Sequence, residues 1–237
     1  LYSNSHQNVM EIAVLVSALP KNKIITTKLI LNVFQISLLL LFVLIPNATW
    51  ANTSELKKPS AFSTCMACHG AQGEGNTSLN APVIAGQSEV YLLRQLTHFK
   101  NGLRGSHTED TFGKQMIASV QSLDFSTEAQ TLAKYIASLP TPDLATQLTG
   151  DLKNGSRYYQ AKCGACHGGQ AQGNEAFKAP KLSGQHVQYI QRQMMHFVNG
   201  IRGGNKEDKL GRQMAMMAKT VDEKELNDIL FFISQQK

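Results

Sequence analysis

All four cysteines of this chain fall in two copies of one pentapeptide, Cys65-Met66-Ala67-Cys68-His69 and Cys163-Gly164-Ala165-Cys166-His167. The order Cys-x-x-Cys-His has a chemical reason. Two thiols three positions apart add across the two vinyl groups of one porphyrin, and the next residue, a histidine, is held under the iron. A redox dithiol, a pair of disulfides or a zinc site would give the histidine no role. A zinc ribbon also keeps its cysteine pairs roughly 15 to 20 residues apart, whereas 94 residues lie between Cys68 and Cys163. The sequence therefore predicts two covalently bound haem c groups, attached at Cys65, Cys68, Cys163 and Cys166, with His69 and His167 on the irons. It points to electron transfer.

The two motifs belong to a longer repeat at an offset of 98 residues. Ala81-Pro82 matches Ala179-Pro180, and Gly86-Gln87 matches Gly184-Gln185. The stretch from Tyr91 to Gly105 matches Tyr189 to Gly203, and Gly113-Lys114-Gln115-Met116 matches Gly211-Arg212-Gln213-Met214. Self-similarity on this scale reads as tandem duplication of one small haem domain. A core of about 90 residues is thin when unaided, so a covalent haem would serve each half as an apolar centre. Pro140-Thr141-Pro142-Asp143 removes amide donors and disfavours helix, which places the division there.

Ahead of the repeat, Lys21, Lys23 and Lys28 precede the apolar run Leu29 to Ile45, and Ala48-Thr49-Trp50-Ala51 offers small residues for cleavage. A basic segment, an apolar segment and a small-residue site read as a secretory signal peptide cut after Ala51. The run is 17 residues long and interrupted by Asn32 and Gln35, short of the roughly 20 of a membrane span. Only if it were retained would it anchor the protein to a membrane. The expected divisions are 1–51 for the upstream segment and signal peptide, 52–141 for the first haem domain and 142–237 for the second. Export agrees with haem attachment, which needs thiols managed outside the cytoplasm, and the expected compartment is the periplasm. Setting aside Lys21, Lys23, Lys28 and Glu11 lowers the net charge from +6 to +4, most of which haem propionates would cancel. There is no basic helix or aromatic platform of a nucleic-acid binder. The remaining charge suits orientation of docking with redox partners.

The fold class is all-α, with no convincing alternating strand. Ser88 can cap a helix whose apolar positions Leu92, Leu96 and Phe99 share one face, and Leu132, Tyr135, Ile136 and Leu139 repeat that pattern after Ser126. Leu226, Ile229, Leu230 and Ile233 form the matching stripe in the second half, where Asp222 and Glu225 form a capping box. The stretches from Gly70 to Pro82 and from Gly168 to Pro180 are polar and glycine-rich, as expected of loops over a haem edge.

What lies opposite each histidine decides between passing electrons and binding small molecules. In the first half only Met66 and Met116 are available, and Met66 is locked inside the attachment motif, which leaves Met116. The second half offers Met194, Met195, Met214, Met216 and Met217, of which only Met214 has a methionine at its repeat partner. Each candidate then follows its histidine by 47 residues. Met194 and Met195 read as packing inside a helix, and Met217 is the reserve choice. His98 and His196 also repeat, and a surface position or a propionate contact suits them better than iron. His107 and His186 have no partner and read as solvated. Tyr91, Tyr189, Arg94, Arg192, Gln87 and Gln185 are candidates for propionate contacts, with plain helix surface as the alternative. His/Met ligation raises the potential and leaves no open position.

These motifs, in this order and twice over, resemble the dihaem cytochrome c4 family: Cys-x-x-Cys-His, an Ala-Pro-x-x-x-Gly-Gln turn, a Tyr-Leu-Leu-x-Gln-Leu type helix and a methionine, over residues 60–237. The resemblance implies two tandem cytochrome c domains related by a pseudo-twofold, haems close together at their interface, and a periplasmic electron carrier serving terminal oxidases. It also implies that Cys65, Cys68, His69, Met116, Cys163, Cys166, His167 and Met214 occupy the family's ligand positions. One departure is that Gly155 and Tyr159 precede the second motif, whereas Pro59 precedes the first and no equivalent aromatic pair is apparent. The first helix is expected to be short. The partners expected are redox proteins of the respiratory chain, a donor complex and a terminal oxidase. A cytochrome subunit of a dehydrogenase complex is the alternative, and a dihaem peroxidase the less favoured one. No catalytic acid, base or nucleophile accompanies the haem ligands, so an enzyme is not expected.

Overall fold

The computed structural model describes residues 56–237. The expected signal peptide and the apolar run lie outside the described residues. Within them the chain is helical, and the only β pairing is a pair of isolated bridges, Asn76 to Ala81 and Asn174 to Ala179. These close the two glycine-rich loops at equivalent points. No helix among the described residues is long and apolar enough to cross a membrane.

The first half contains α1 (Phe62–His69), α2 (Glu89–Lys100), α3 (Thr111–Val120) and α4 (Glu128–Ser138). Pro59 opens the turn into α1, whose first amide, that of Phe62, donates to the Pro59 carbonyl at 3.1 Å. The helix stops at Gly70, where φ is +84°, a left-handed value that costs a residue without Cβ almost nothing. Ser88 caps α2 by accepting from the Tyr91 amide, as expected. The start of α4 differs from expectation. Ser126 does not cap it; Asp124 takes the amide and hydroxyl of Ser126 and the hydroxyl of Thr127, and the helix begins one residue later, at Glu128. An ionised carboxylate offers about four lone-pair sites where a hydroxyl offers about two, so Asp124 organises the turn. Leu139 lies beyond the helix end.

The second half contains α5 (Leu152–Lys162), α6 (Gly164–His167), α7 (Val187–Val198), α8 (Lys209–Ala218) and α9 (Glu223–Ser234). The capping box of Asp222 and Glu225 is present in full at the start of α9. Residues 140–151 form no regular element between the halves.

Each half has its own core. In the first, Phe62, Leu92, Leu132, Ala133 and Ile136 pack together. In the second, Tyr159, Ile190, Met194, Phe197, Ile229, Leu230, Phe232 and Ile233 do so. The first half does have the aromatic pair that its sequence hides. Phe62 meets Tyr135 edge-on at 5.1 Å between ring centroids, and Tyr159 meets Phe232 at the same separation. The pairs are displaced by one helix position from strict repeat equivalence, which is why the alignment did not show them.

Helices α5 and α9 cross at Gly155, where the helix backbones meet: a Cβ at this position would be driven into the carbonyl oxygen of Asp228. Asp228 is itself buried and accepts from the Asp151 amide at 2.9 Å. Gly155→Ala is therefore expected to destabilise the second half by about 3 kcal/mol through overpacking against a backbone that cannot yield. Chemical denaturation followed by the far-ultraviolet signal would measure it, and an unchanged midpoint would disprove the close crossing.

Candidate haem sites and the surface between them

The cysteines of each motif lie one helical turn apart, so the spacing that suits two vinyl groups is delivered by helix geometry. Cys65 and Cys68 sit in α1; Cys163 caps α6 and Cys166 lies inside it. All four are unpaired as disulfides, with Cys68 and Cys166 exposed and Cys65 and Cys163 half-buried. Burial pushes the Cys65 and Cys163 thiols up to about 11.

His69 and His167 are buried at the ends of these helices, and in each ring Nδ1 donates to a backbone carbonyl thirteen residues on. The partners are Pro82 at 2.8 Å and Pro180 at 3.0 Å. That bond fixes the tautomer and leaves the Nε2 lone pair for a metal, the usual arrangement of an imidazole ligand. Burial holds both histidines below their ordinary value, which keeps the rings neutral as ligation requires. The proline of the Ala-Pro motif thus has a stated job.

Met116 and Met214 occupy equivalent places in α3 and α8, both half-buried. Asp110 and Asp208 cap the two helices, accepting from Gly113 and Gly211 at 2.8 Å. Neither helix was anticipated in the sequence, because the apolar stripe is too short to show. Met66 packs against the first core and Met194 is buried in the second. Met195, expected as packing, is instead half-exposed.

The resemblance implies that the halves meet, but the residues that make the surface between them were not legible in the sequence. Gln87 pairs with the backbone of Lys181, donating from Nε2 to its carbonyl and accepting from its amide, both at 2.9 Å. Gln185 does the same to Val83, at 2.8 and 2.9 Å. Arg94 donates to the carbonyl of Lys178 at 2.8 Å, and Arg192 donates to that of Asn80 at 2.7 Å. Buried Arg104 stacks on Phe99 and reaches Gln95 in its own half and Tyr189 and Gln193 in the other. Arg202 stacks on Phe197 and reaches Gln193, Tyr91 and Gln95. In each exchange the residues of one half and their repeat equivalents swap places, as a twofold, isologous interface requires.

His98 and His196 lie within this surface rather than on the outside, in the last turns of α2 and α7, each facing the aspartate cap of the opposite half. His186 is not solvated either: its Nε2 is buried without a partner, close to Gly75 of the first loop. His107 is exposed.

The fit of a haem can be tested on this surface. It gathers four arginines around two aspartates, and Arg94 Nη1 and Arg192 Nε are buried with no acceptor. Buried cationic donors without a partner are costly, and a propionate carboxylate is an acceptor of the right charge. With a free imidazole nitrogen and a cysteine pair on one turn in each half, the residues fit the group. Two such helical halves in one chain define a dihaem c-type cytochrome.

Comparison with known proteins agrees. Residues 58–140 and 152–237 each match the cytochrome c family. Cytochrome c4 of Azotobacter vinelandii is 31% identical over 162 residues, 65% of this chain and 76% of that protein. A thiosulfate dehydrogenase electron acceptor of Thiomonas intermedia is 31% identical over 74% of this chain and 77% of its own length. The solved structure of Acidithiobacillus ferrooxidans cytochrome c4 superposes with a TM-score of 0.60 at 26% identity, covering 73% of this chain and 98% of that one. The chain belongs to the cytochrome c family and, within it, to the dihaem cytochrome c4 family. It carries two covalently bound haem c groups, for which Cys65 and Cys68, and Cys163 and Cys166, supply the thiols.

The paired glutamines give a direct check on the interface. Gln185→Ala leaves the buried Val83 amide and carbonyl without their partners, which costs about 1 to 3 kcal/mol. Hydrogen exchange at the Val83 amide should accelerate accordingly, by roughly 5- to 150-fold. Unchanged protection there would refute the pairing.

Proposed function

We propose that the protein carries electrons between respiratory-chain partners in the periplasm, towards a terminal oxidase, with each iron held between a histidine and a methionine: His69 and Met116 in the first half, His167 and Met214 in the second. The domains run from 52 to 141 and from 142 to 237. A bound haem would supply the ferrous–ferric couple, and the protein's residues would set how easily and where it operates.

The observation that carries the reading is the equivalence of α3 and α8. Each is capped by an aspartate and carries its methionine six positions later, 47 residues after the imidazole. Met216 and Met217 share α8, but Ala118 and Ser119 stand at their repeat positions. Met116 and Met214 as thioether ligands would favour ferrous iron and leave no coordination position open. The paired carbonyls of Pro82 and Pro180 hold the imidazole planes, so little rearranges when the charge changes. Arg94 and Arg192 offer their unpartnered nitrogens to propionates, which would bring the two haems towards the shared surface. Export is supported by the chemistry of thioether formation and by the basic and apolar character of the leading segment.

A second reading concerns the donor. Likeness to a protein named as an electron acceptor of thiosulfate dehydrogenase favours service to a dehydrogenase in place of a general respiratory shuttle. A flavin or haem dehydrogenase that co-purifies at fixed stoichiometry would select it.

The oxidised protein should show the weak red absorption band of thioether-ligated ferric haem and should not take up carbon monoxide when reduced. Met116→Ala should remove about half of that band, lower one of the two midpoint potentials and open one iron to carbon monoxide. A band left at full strength would defeat the assignment of Met116.

A further inference from the structure

Asp110 and Asp208 cap the helices that carry Met116 and Met214, and each is buried. A capping carboxylate fixes where the first turn begins, and through it the position of everything on that helix. Glycine makes the arrangement tight: a Cβ at Gly113 or Gly211 would collide with the carboxylate that caps it. Neither aspartate is left to its own half. Asp208 Oδ2 stands 3.8 Å from His98 Nδ1 of the first half, and Asp110 Oδ1 stands 3.9 Å from His196 Nδ1 of the second. These separations are too long for a direct hydrogen bond, and both Nδ1 atoms are buried with no partner. A neutral imidazole gains little in such a place, whereas a protonated one forms an ion pair with the cap.

We propose that His98 and His196 are crosswise positioning residues: each, by taking up or releasing a proton against the aspartate cap of the opposite half, links that half's methionine helix and iron to proton binding at the interface. The inference rests on the reading of Met116 and Met214 as axial ligands.

The remaining charges around each imidazole set the direction. Arg94, Arg104 and Arg202 face His98; Arg192, Arg104 and Arg202 face His196. Burial first, and these cations after it, disfavour the protonated ring, while the aspartate favours it. Both histidines are therefore held below their ordinary value, so protonation comes only as the pH falls. An electron delivered by a reduced donor protein would lower the positive charge felt at the cap, so the imidazole would bind a solvent proton more tightly and, within its titration range, take up a fraction of a proton per electron. Oxidation would release the same fraction. By linkage, the potential must then rise as pH falls through the histidine titration.

The test uses the mature protein with both haems. Spectroelectrochemical titration between about pH 5 and 8, with each haem followed by the resonance of its ligand methyl group, should show the reduced-to-oxidised ratio at fixed potential falling about threefold as pH rises, equivalent to about 28 mV for a one-electron couple. His98→Gln should flatten the profile of the Met214 haem, and His196→Gln that of the Met116 haem. In the unsubstituted protein the imidazole resonances of both histidines should titrate at higher pH when reduced than when oxidised, a readout that needs no variant. Intact methionine signals with unchanged profiles and titrations would overturn the inference alone, and so would flattening confined to the half that carries the substitution. Absence of ligand methyl signals from the unsubstituted protein would overturn the axial-ligand reading and this inference with it.

Discussion

The structure depends on an exchange of hydrogen bonds between two halves of one chain. Arg104 and Arg202 are placed where their guanidinium groups meet only neutral oxygens, from Gln95, Gln193, Tyr91 and Tyr189. Each also lies 4.6 Å over a phenylalanine ring of its own half. A buried cation held by neutral acceptors needs a counter-charge close by, and this surface offers two aspartates for four arginines. Burial would raise the Tyr91 hydroxyl, but Arg202 and Arg104 beside it hold it below its ordinary value, the mark of this excess positive potential. A surface so arranged favours anions, and the carboxylates of bound haems would find their counter-charge there.

Much of this was legible in the sequence, for physical reasons. Covalent attachment demands an invariant spacing, so the Cys-x-x-Cys-His copies announce themselves without any structure. A repeat at 98 residues doubles each signal, and it is what separates Met214 from Met194, Met195, Met216 and Met217. Caps with strong local chemistry were also readable, Ser88 and the Asp222–Glu225 box among them. Local competition defeated the assignment at Ser126, where Asp124 two residues earlier accepts more donors.

What stayed hidden was relational. Gln87, Arg94, His98 and Arg104 are polar residues on or after an amphipathic helix, and such residues normally face water. The burial of Arg104 and the half-burial of the others follow only from meeting their own repeat equivalents, which periodicity within one helix cannot reveal. The hint available was that polar positions repeat as faithfully as apolar ones: Tyr91, Arg94, Gln95, His98 and Arg104 all recur. The aromatic pair of the first core escaped notice for a different reason, since Phe62 and Tyr135 reach the same contact from a register shifted by one residue.

Residues 140–151, which carry no helix, give this contact surface its licence to be so polar. Two separate polypeptides meeting through glutamines and arginines would forfeit translational and rotational freedom on every encounter, and dilution would part them. A short peptide leash makes the second half a permanent neighbour at high effective concentration. The faces can then be selected for the field they create around the cofactors, with adhesion guaranteed by the main chain.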